Sequence, residues 1–227
     1  MKSHNPTDNF QAVIYDMDGL IIDSEPLWRA TEVKVFNAIG VPLTLDMTIQ
    51  TMGRRINEVV DFWYAQYPWN SPSKEEIEQE VVRGVVNGIN SDGDLLEGTL
   101  ESIKFFKQKG LRLALASSSS LFIIHTVLSK FGLEKYFEVI HSAEGELFGK
   151  PHPAVYESTI KLLGVPAANC IALEDSLNGV RSAKAAGTFC IAVPDYRVHG
   201  AEEFHEADIV LRSLKEIDES LWERLLV

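Results

Sequence analysis

Short apolar runs alternate with longer stretches of helical period through most of the chain. Ala12–Tyr15, Arg112–Ala116, Phe137–Ile140, Cys170–Leu173, Phe189–Val193 and Asp208–Leu211 read as strands. Their apolar positions are nearly continuous rather than alternating, which suits a sheet covered on both faces. Between them, Glu101–Lys109, Leu121–Phe131, Ala154–Leu163 and Leu177–Ala186 carry a 3.6-residue period, and each stops at a glycine. Strand and helix repeating in this way predict an α/β fold with a doubly wound parallel sheet.

One block breaks the alternation. From about residue 25 to 92 the pattern is helical with no clear strand. Leu27, Ala30, Thr31, Lys34, Val35, Ala38 and Ile39 recur at three- and four-residue steps before Gly40. Leu45–Thr51 and Asn57–Gln66 read as further helices. Ser73-Lys74-Glu75-Glu76 is a capping-box signature that opens another helix to about Asn90, with a turn at Asp92-Gly93-Asp94. The economical organisation is a core made of residues 1–24 and 93–227, with an all-helical cap domain, residues 25–92, inserted between the first two strands.

Composition narrows the possibilities. The chain has 227 residues, 45% of them hydrophobic, enough for one sizeable core with an insert. A formal net charge of −12 argues against nucleic acid, which needs a basic footprint, and gives no reason to expect an anionic membrane surface. No apolar run reaches the length of a membrane span, and no apolar signal region opens the chain, so the expectation is a cytoplasmic protein. Cys170 and Cys190 fall in strand-like runs, where buried thiols are expected rather than a disulfide.

Chemistry gathers at the strand ends. In open parallel sheets, ligands bind beyond the carboxyl ends of the strands. The first strand ends in Asp16-Met17-Asp18-Gly19. Residues i and i+2 of an extended segment point the same way, so its two carboxylates face one side. Alone, this pair fits a solvated loop as well as a cation site. The second strand, however, ends in Ser117, Ser118, Ser119 and Ser120, and the Cys170–Leu173 strand ends in Glu174-Asp175. The loop Gly149-Lys150-Pro151-His152-Pro153 adds a lysine. Hard carboxylate oxygens without clustered His or Cys suit Mg²⁺, with Mn²⁺ or Co²⁺ as substitutes. Lysine and hydroxyl groups suit phosphate oxygens. A carboxylate nucleophile would form an aspartyl-phosphate, and a second carboxylate two residues on could move the protons.

D-M-D-G-L-I-I-D-S, the serine after L-A-L-A, G-K-P-H-P and E-D-S-L-N-G resemble the four ordered motifs of the haloacid dehalogenase (HAD) superfamily, in its phosphoglucomutase-like phosphatase branch. The resemblance covers nearly the whole chain. It implies Asp16 as nucleophile and Asp18 as general acid and base. It implies Mg²⁺ held by Asp16, the Asp18 backbone carbonyl and Asp175, with Glu174 as a ligand or behind one. Ser117, Ser118 and Ser119 would hold the transferring phosphoryl group and Lys150 its charge. The implied activity is hydrolysis of small phosphorylated sugars, such as hexose or hexitol phosphates, by a monomeric enzyme. The alternative is a sugar phosphate mutase similar to β-phosphoglucomutase.

Departures from the family pattern separate its branches. Dehalogenases of this fold lack the second aspartate, which is present here as Asp18. The mutases carry a histidine where this chain has Trp28, which favours water as the acceptor. The mutases' phosphate-gripping arginine would align near Ile56. Arg55 beside it is therefore the candidate substrate contact, ahead of Arg54. Trp28 and Trp69 are the aromatic candidates in the insert. His152, between two prolines, is expected to shape the Lys150 loop, and His125 to be structural.

Overall fold

The computed structural model describes residues 10–195, 197 and 200–226. Residues 1–9 and 227, which fall in the expected core segments, lie outside the described residues.

Among the described residues, six strands form one parallel sheet. They are β1 (Ala12–Tyr15), β2 (Arg112–Ser117), β3 (Val139–Ser142), β4 (Cys170–Glu174), β5 (Phe189–Ala192) and β6 (Ile209–Val210). Their order is β3-β2-β1-β4-β5-β6. The chain winds outward from β1 through β2 to β3, then crosses back to place β4 on the other side of β1. The direction of winding therefore reverses at β1, the kind of position where open α/β sheets bind ligands.

Alternate residues of each strand go to opposite faces. Val13, Tyr15, Leu113, Leu115, Ile171 and Leu173 join the larger apolar cluster, with Phe106, Ile124 and Leu221 from the covering helices. Ala12, Ile14, Ala114, Ala116, Ala172 and Ala192 face the other way with Tyr156, Leu163 and Val180. The small residues on that second face let its helices pack close to the sheet. Cys170 and Cys190 are buried free thiols. No helix among the described residues is long and apolar enough to cross a membrane.

Between β1 and β2 lie α1 (Glu25–Ala38), α2 (Leu45–Thr48), α3 (Ile56–Gln66) and α4 (Lys74–Asp92), followed by α5 (Thr99–Gln108). The capping box at Ser73 forms as the spacing predicts: Glu76 N donates to Ser73 Oγ, and Ser73 N to Glu76. Trp63, Phe36, Val59, Ile77 and Val81 are buried within the insert. Trp69 belongs to this packing, not to the site. Its ring lies edge-on to Phe36 and Tyr64, and its Nε1 donates to the Pro72 carbonyl at 2.8 Å. Lys130 ties the end of α4 to the core by donating to the carbonyls of Ile89 and Gly93 at 2.5 and 2.8 Å, a favourable place for a cation.

The remaining helices are α6 (Leu121–Phe131), α7 (Ala154–Leu163), α8 (Leu177–Ala185) and α9 (Glu219–Leu225). Three differences from the sequence pattern have physical causes. The third strand lies two residues later than expected, because Glu134–Tyr136 form a 3₁₀ turn and Phe137 packs against Tyr15 instead of pairing. Asp92 completes α4, and the chain turns only at Gly93. The last helix was not expected. Asp218 caps it, and Trp222 packs edge-on against Phe105 and Phe106.

Candidate active site

Asp16 leaves the end of β1 at the reversal point, flanked by Ser117 at the end of β2 and Glu174 at the end of β4. Its amide donates to the Leu173 carbonyl, so the sheet pattern continues one residue beyond the strand and fixes the side chain's direction. Asp16 Oδ1 accepts from Lys150 Nζ at 2.7 Å. The same ammonium donates to Glu174 Oε1 at 2.5 Å, which also accepts from the Tyr156 hydroxyl at 2.6 Å. All four groups are buried. Burial works against the Lys150 charge, but the Asp16 and Glu174 carboxylates outweigh it and hold its pKa above the ordinary value. Lys150 is thus a fixed cation at the floor of the site.

Among the described residues, Asp16, Glu174 and Asp175 bring carboxylate oxygens within 4.8 Å of one another. One ammonium faces three carboxylates, so two negative charges lack a partner, the charge of one divalent cation. Burial, against the pull of Lys150 and with the push of Glu174 and Asp18, raises the Asp16 pKa to about 8. Burial and then Asp16 raise Asp175 in the same direction. Asp175 Oδ2 and Glu174 Oε2 are buried without hydrogen-bond partners. Glycines make room for both oxygens. A Cβ on Gly19, whose φ is +70°, would stand 2.0 Å from Asp175 Oδ2, and one on Gly179 would stand 1.8 Å from Glu174 Oε2. The donor set and its unpartnered buried oxygens therefore fit a hard divalent cation.

Asp18 faces the same cavity but is held differently. Its Oδ1 accepts from Ser24 Oγ at 2.7 Å and Trp28 Nε1 at 2.8 Å, and its Oδ2 from Ser119 Oγ at 2.7 Å and Ser117 Oγ at 3.4 Å. Ser24 precedes α1, and its hydroxyl serves Asp18 instead of capping the helix. The Asp18 side chain thus stands outside the carboxylate cluster. Two carboxylates two residues apart have separate environments: one beside a buried lysine, one ringed by hydroxyl and indole donors.

Trp28, Ser117, Ser118 and Ser119 line the cavity with Asp16, Asp18, Lys150 and Asp175. Ser118, however, donates its hydroxyl to the Gly53 carbonyl of the insert at 2.8 Å. Arg55 is not at the cavity. It donates to Glu58 Oε1 at 2.6 Å and to the carbonyls of Ala143 and Glu146 at 3.3 and 2.7 Å. It is thus a strut between insert and core, helped by Gly149 N donating to Glu58 and Asn178 Nδ2 donating to the Met52 carbonyl. Arg54 takes its place on the wall, with its guanidinium 5.3 Å from the centre of the Phe62 ring. His152 accepts from Ala154 N through Nδ1 and shapes the Lys150 loop. His125 is exposed and pairs with Glu134.

The sequence reading missed Glu25, Arg29 and Glu32 as wall residues. With Trp28 they fall at positions i, i+3, i+4 and i+7 of α1, one stripe of the helix. Glu25 and Glu32 are buried. That polar stripe was the available signal.

A parallel sheet reversing at an acidic strand end, a buried lysine facing it and a helical insert over the cavity define a HAD-type hydrolase core. The model of the haloacid dehalogenase-like hydrolase family matches residues 10–187. The chain belongs to that family. It is 41% identical over 207 residues to "Hexitol phosphatase B" of Escherichia coli (strain K12), covering 91% of this chain and 93% of that protein. It is 32% identical to the "Phosphorylated carbohydrates phosphatase" of Thermotoga maritima, covering 78% and 82%. Among solved structures, CbbY from Rhodobacter sphaeroides in complex with phosphate has a TM-score of 0.79 at 28% identity, covering 92% of this chain and 96% of that one.

Proposed function

We propose that this enzyme is a magnesium-dependent phosphatase of small phosphorylated sugars, hexose or hexitol phosphates, acting through an aspartyl-phosphate on Asp16. The observation that carries this reading is the division of labour between Asp16, paired with buried Lys150, and Asp18, held by neutral donors on the same cavity. In the proposed reaction, an Asp16 carboxylate oxygen attacks phosphorus as the bond to the sugar oxygen breaks. Asp18 delivers a proton to that leaving oxygen. Asp18 then takes a proton from water, which attacks the phosphorus of the aspartyl-phosphate. Inorganic phosphate leaves and the Asp16 carboxylate is restored. Lys150 and the Ser117 and Ser119 hydroxyls are suited to the phosphoryl oxygens. Asp16 and Asp175 would hold the Mg²⁺, with Glu174 anchoring Lys150 beside it. The metal, when bound, supplies charge neutralisation for phosphate and nucleophile.

We also propose that residues 25–92 act as a cap. The cavity beneath them is narrow, about 60 Å³. Parting of the contacts at Ser118, Asn178 and Arg55 would widen the way in for a hexose phosphate, and closing them again would exclude bulk water. Hydrolysis is favoured over the mutase alternative because Trp28 fixes Asp18 and leaves no basic group at that position.

A panel of hexose, pentose and hexitol phosphates with Mg²⁺ tests the reading. Released phosphate is the expected product, strongest with hexose or hexitol esters. Conversion of glucose 1-phosphate to glucose 6-phosphate with a bisphosphate primer would instead establish a mutase. Chelation by EDTA is expected to abolish turnover. Returning Mg²⁺ to the chelated protein should raise its melting temperature, more above pH 8 than at pH 5.5, because a proton occupies the Asp16 carboxylate at the lower pH. A melting temperature indifferent to Mg²⁺ at both pH values would contradict the assigned metal site.

Trp28→Phe keeps an apolar ring but removes the donor to Asp18. Losing the hydrogen bond that orients Asp18 should lower kcat about 10-fold. Steady-state kinetics with an aryl phosphate check this. An unchanged kcat would remove Trp28 from the positioning of Asp18.

A further inference from the structure

Among the described residues, two polar atoms on the insert's side of the cavity have no hydrogen-bond partners. Glu32 on α1 is 7% exposed, and its Oε2 is buried without a hydrogen bond. The Nε of Arg54, in the segment before α3, is likewise buried and unpartnered. Both residues line the cavity that contains Asp16, Asp18 and Lys150, and the phosphoryl chemistry assigns work to neither. Arg29 does not neutralise Glu32 directly. Its guanidinium donates to Thr48 Oγ1 at 3.1 Å and to the Leu45 carbonyl at 2.8 Å. Burial, opposed by Arg29, pushes the Glu32 carboxyl up to about 8. A dehydrated carboxyl with an open oxygen destabilises the empty protein, and a ligand that donates to it relieves that cost on binding.

The two atoms together constrain the ligand. Glu32 offers an acceptor and Arg54 a donor. A second anionic group would add to the charge already gathered around Asp16, Asp18, Glu25 and Glu32, and a cationic one would meet repulsion from Arg54 and Arg29. An apolar leaving group would leave both atoms unsatisfied. Hydroxyl groups both donate and accept, so a neutral chain or ring of several hydroxyls satisfies both. We propose that Glu32 is a specificity-determining residue that accepts hydrogen bonds from hydroxyl groups of the leaving polyol, while Arg54 donates to the same group. This inference rests on the sugar phosphatase reading above and names the part of the site that distinguishes sugars from other esters.

The test compares wild type, Glu32→Leu and Glu32→Gln on a hexitol phosphate and on phenyl phosphate, which has no hydroxyl groups. In each preparation kcat/KM for the first is divided by kcat/KM for the second. Partial misfolding cancels in that ratio. For Glu32→Leu the ratio is expected to fall about 10- to 100-fold, chiefly through KM on the hexitol phosphate. For Glu32→Gln, which still offers an acceptor, it is expected to fall less. A ratio within about twofold of wild type in both variants overturns the role of Glu32. A wild-type enzyme that hydrolyses phenyl phosphate but no polyol phosphate overturns the sugar phosphatase reading, and this inference with it.

Discussion

Asp16→Asn is expected to lower kcat by at least about 10⁴-fold on any phosphate ester the enzyme accepts, because it removes the nucleophile itself. The amide has the shape of the carboxylate, and its carbonyl can still accept from Lys150. The loss is therefore chemical, and the fold should survive. Stability should move the other way. The raised folded pKa of Asp16, about 8, means that its contribution is fully present below the ordinary carboxylate pKa and is lost as pH rises through the folded value. Without divalent metal, Asp16→Asn should therefore melt above wild type beyond pH 8, with a smaller difference at pH 5. Kinetic assays and melting followed by circular dichroism check both halves. Substantial residual turnover would exclude Asp16 as nucleophile. A variant less stable than wild type beyond pH 8 would contradict the excess negative charge assigned to this cluster.

Lys150→Met should damage both fold and activity. Its ammonium neutralises two buried carboxylates, Asp16 and Glu174, at 2.7 and 2.5 Å. Removing one partner from a buried ion pair costs about 3–5 kcal/mol, because the other charge stays buried and unpaired. The folded pKa of Lys150 is raised, so its contribution is complete below the ordinary lysine pKa and lost only as pH rises through the still higher folded value. The deficit in Lys150→Met should thus persist throughout the neutral range. Divalent metal should restore part of the stability but not turnover, since the phosphoryl group would still lack its fixed cation. Urea unfolding at pH 7 measures this. A loss below about 1 kcal/mol would mean that the pair is solvated and not the buried anchor described here.

The strand ends were legible because the sheet makes them so. Apolar runs locate β1, β2 and β4, and a parallel sheet sends Asp16, Ser117 and Glu174 to one rim whatever the details of packing. Lys150 could be placed because its loop is short and bounded by prolines. Directions within the rim were not legible. Nothing in the spacing distinguishes Asp18, held by Ser24, Trp28 and Ser119, from Asp16, held by Lys150. The role of Glu174, at the end of β4, depends on Tyr156, which lies on α7 and reaches it only through packing. In the insert, Arg54 and Arg55 are neighbours whose side chains diverge by one backbone step, so only the fold places one on the cavity and the other on Ala143 and Glu146. Glu32 was missed for another reason. The apolar period of α1 drew attention to Leu27 and Val35, while Glu25, Trp28, Arg29 and Glu32 form a second, polar stripe facing the cavity.

The central claim is a double displacement at phosphorus with Asp16 as the first nucleophile. Its most direct test is the stereochemical course of hydrolysis of a chirally labelled phosphorothioate ester in isotopically labelled water. Two successive in-line displacements, first by Asp16 and then by water, predict retention of configuration in the released thiophosphate. Inversion would show that water attacks the ester directly and would contradict the aspartyl-phosphate.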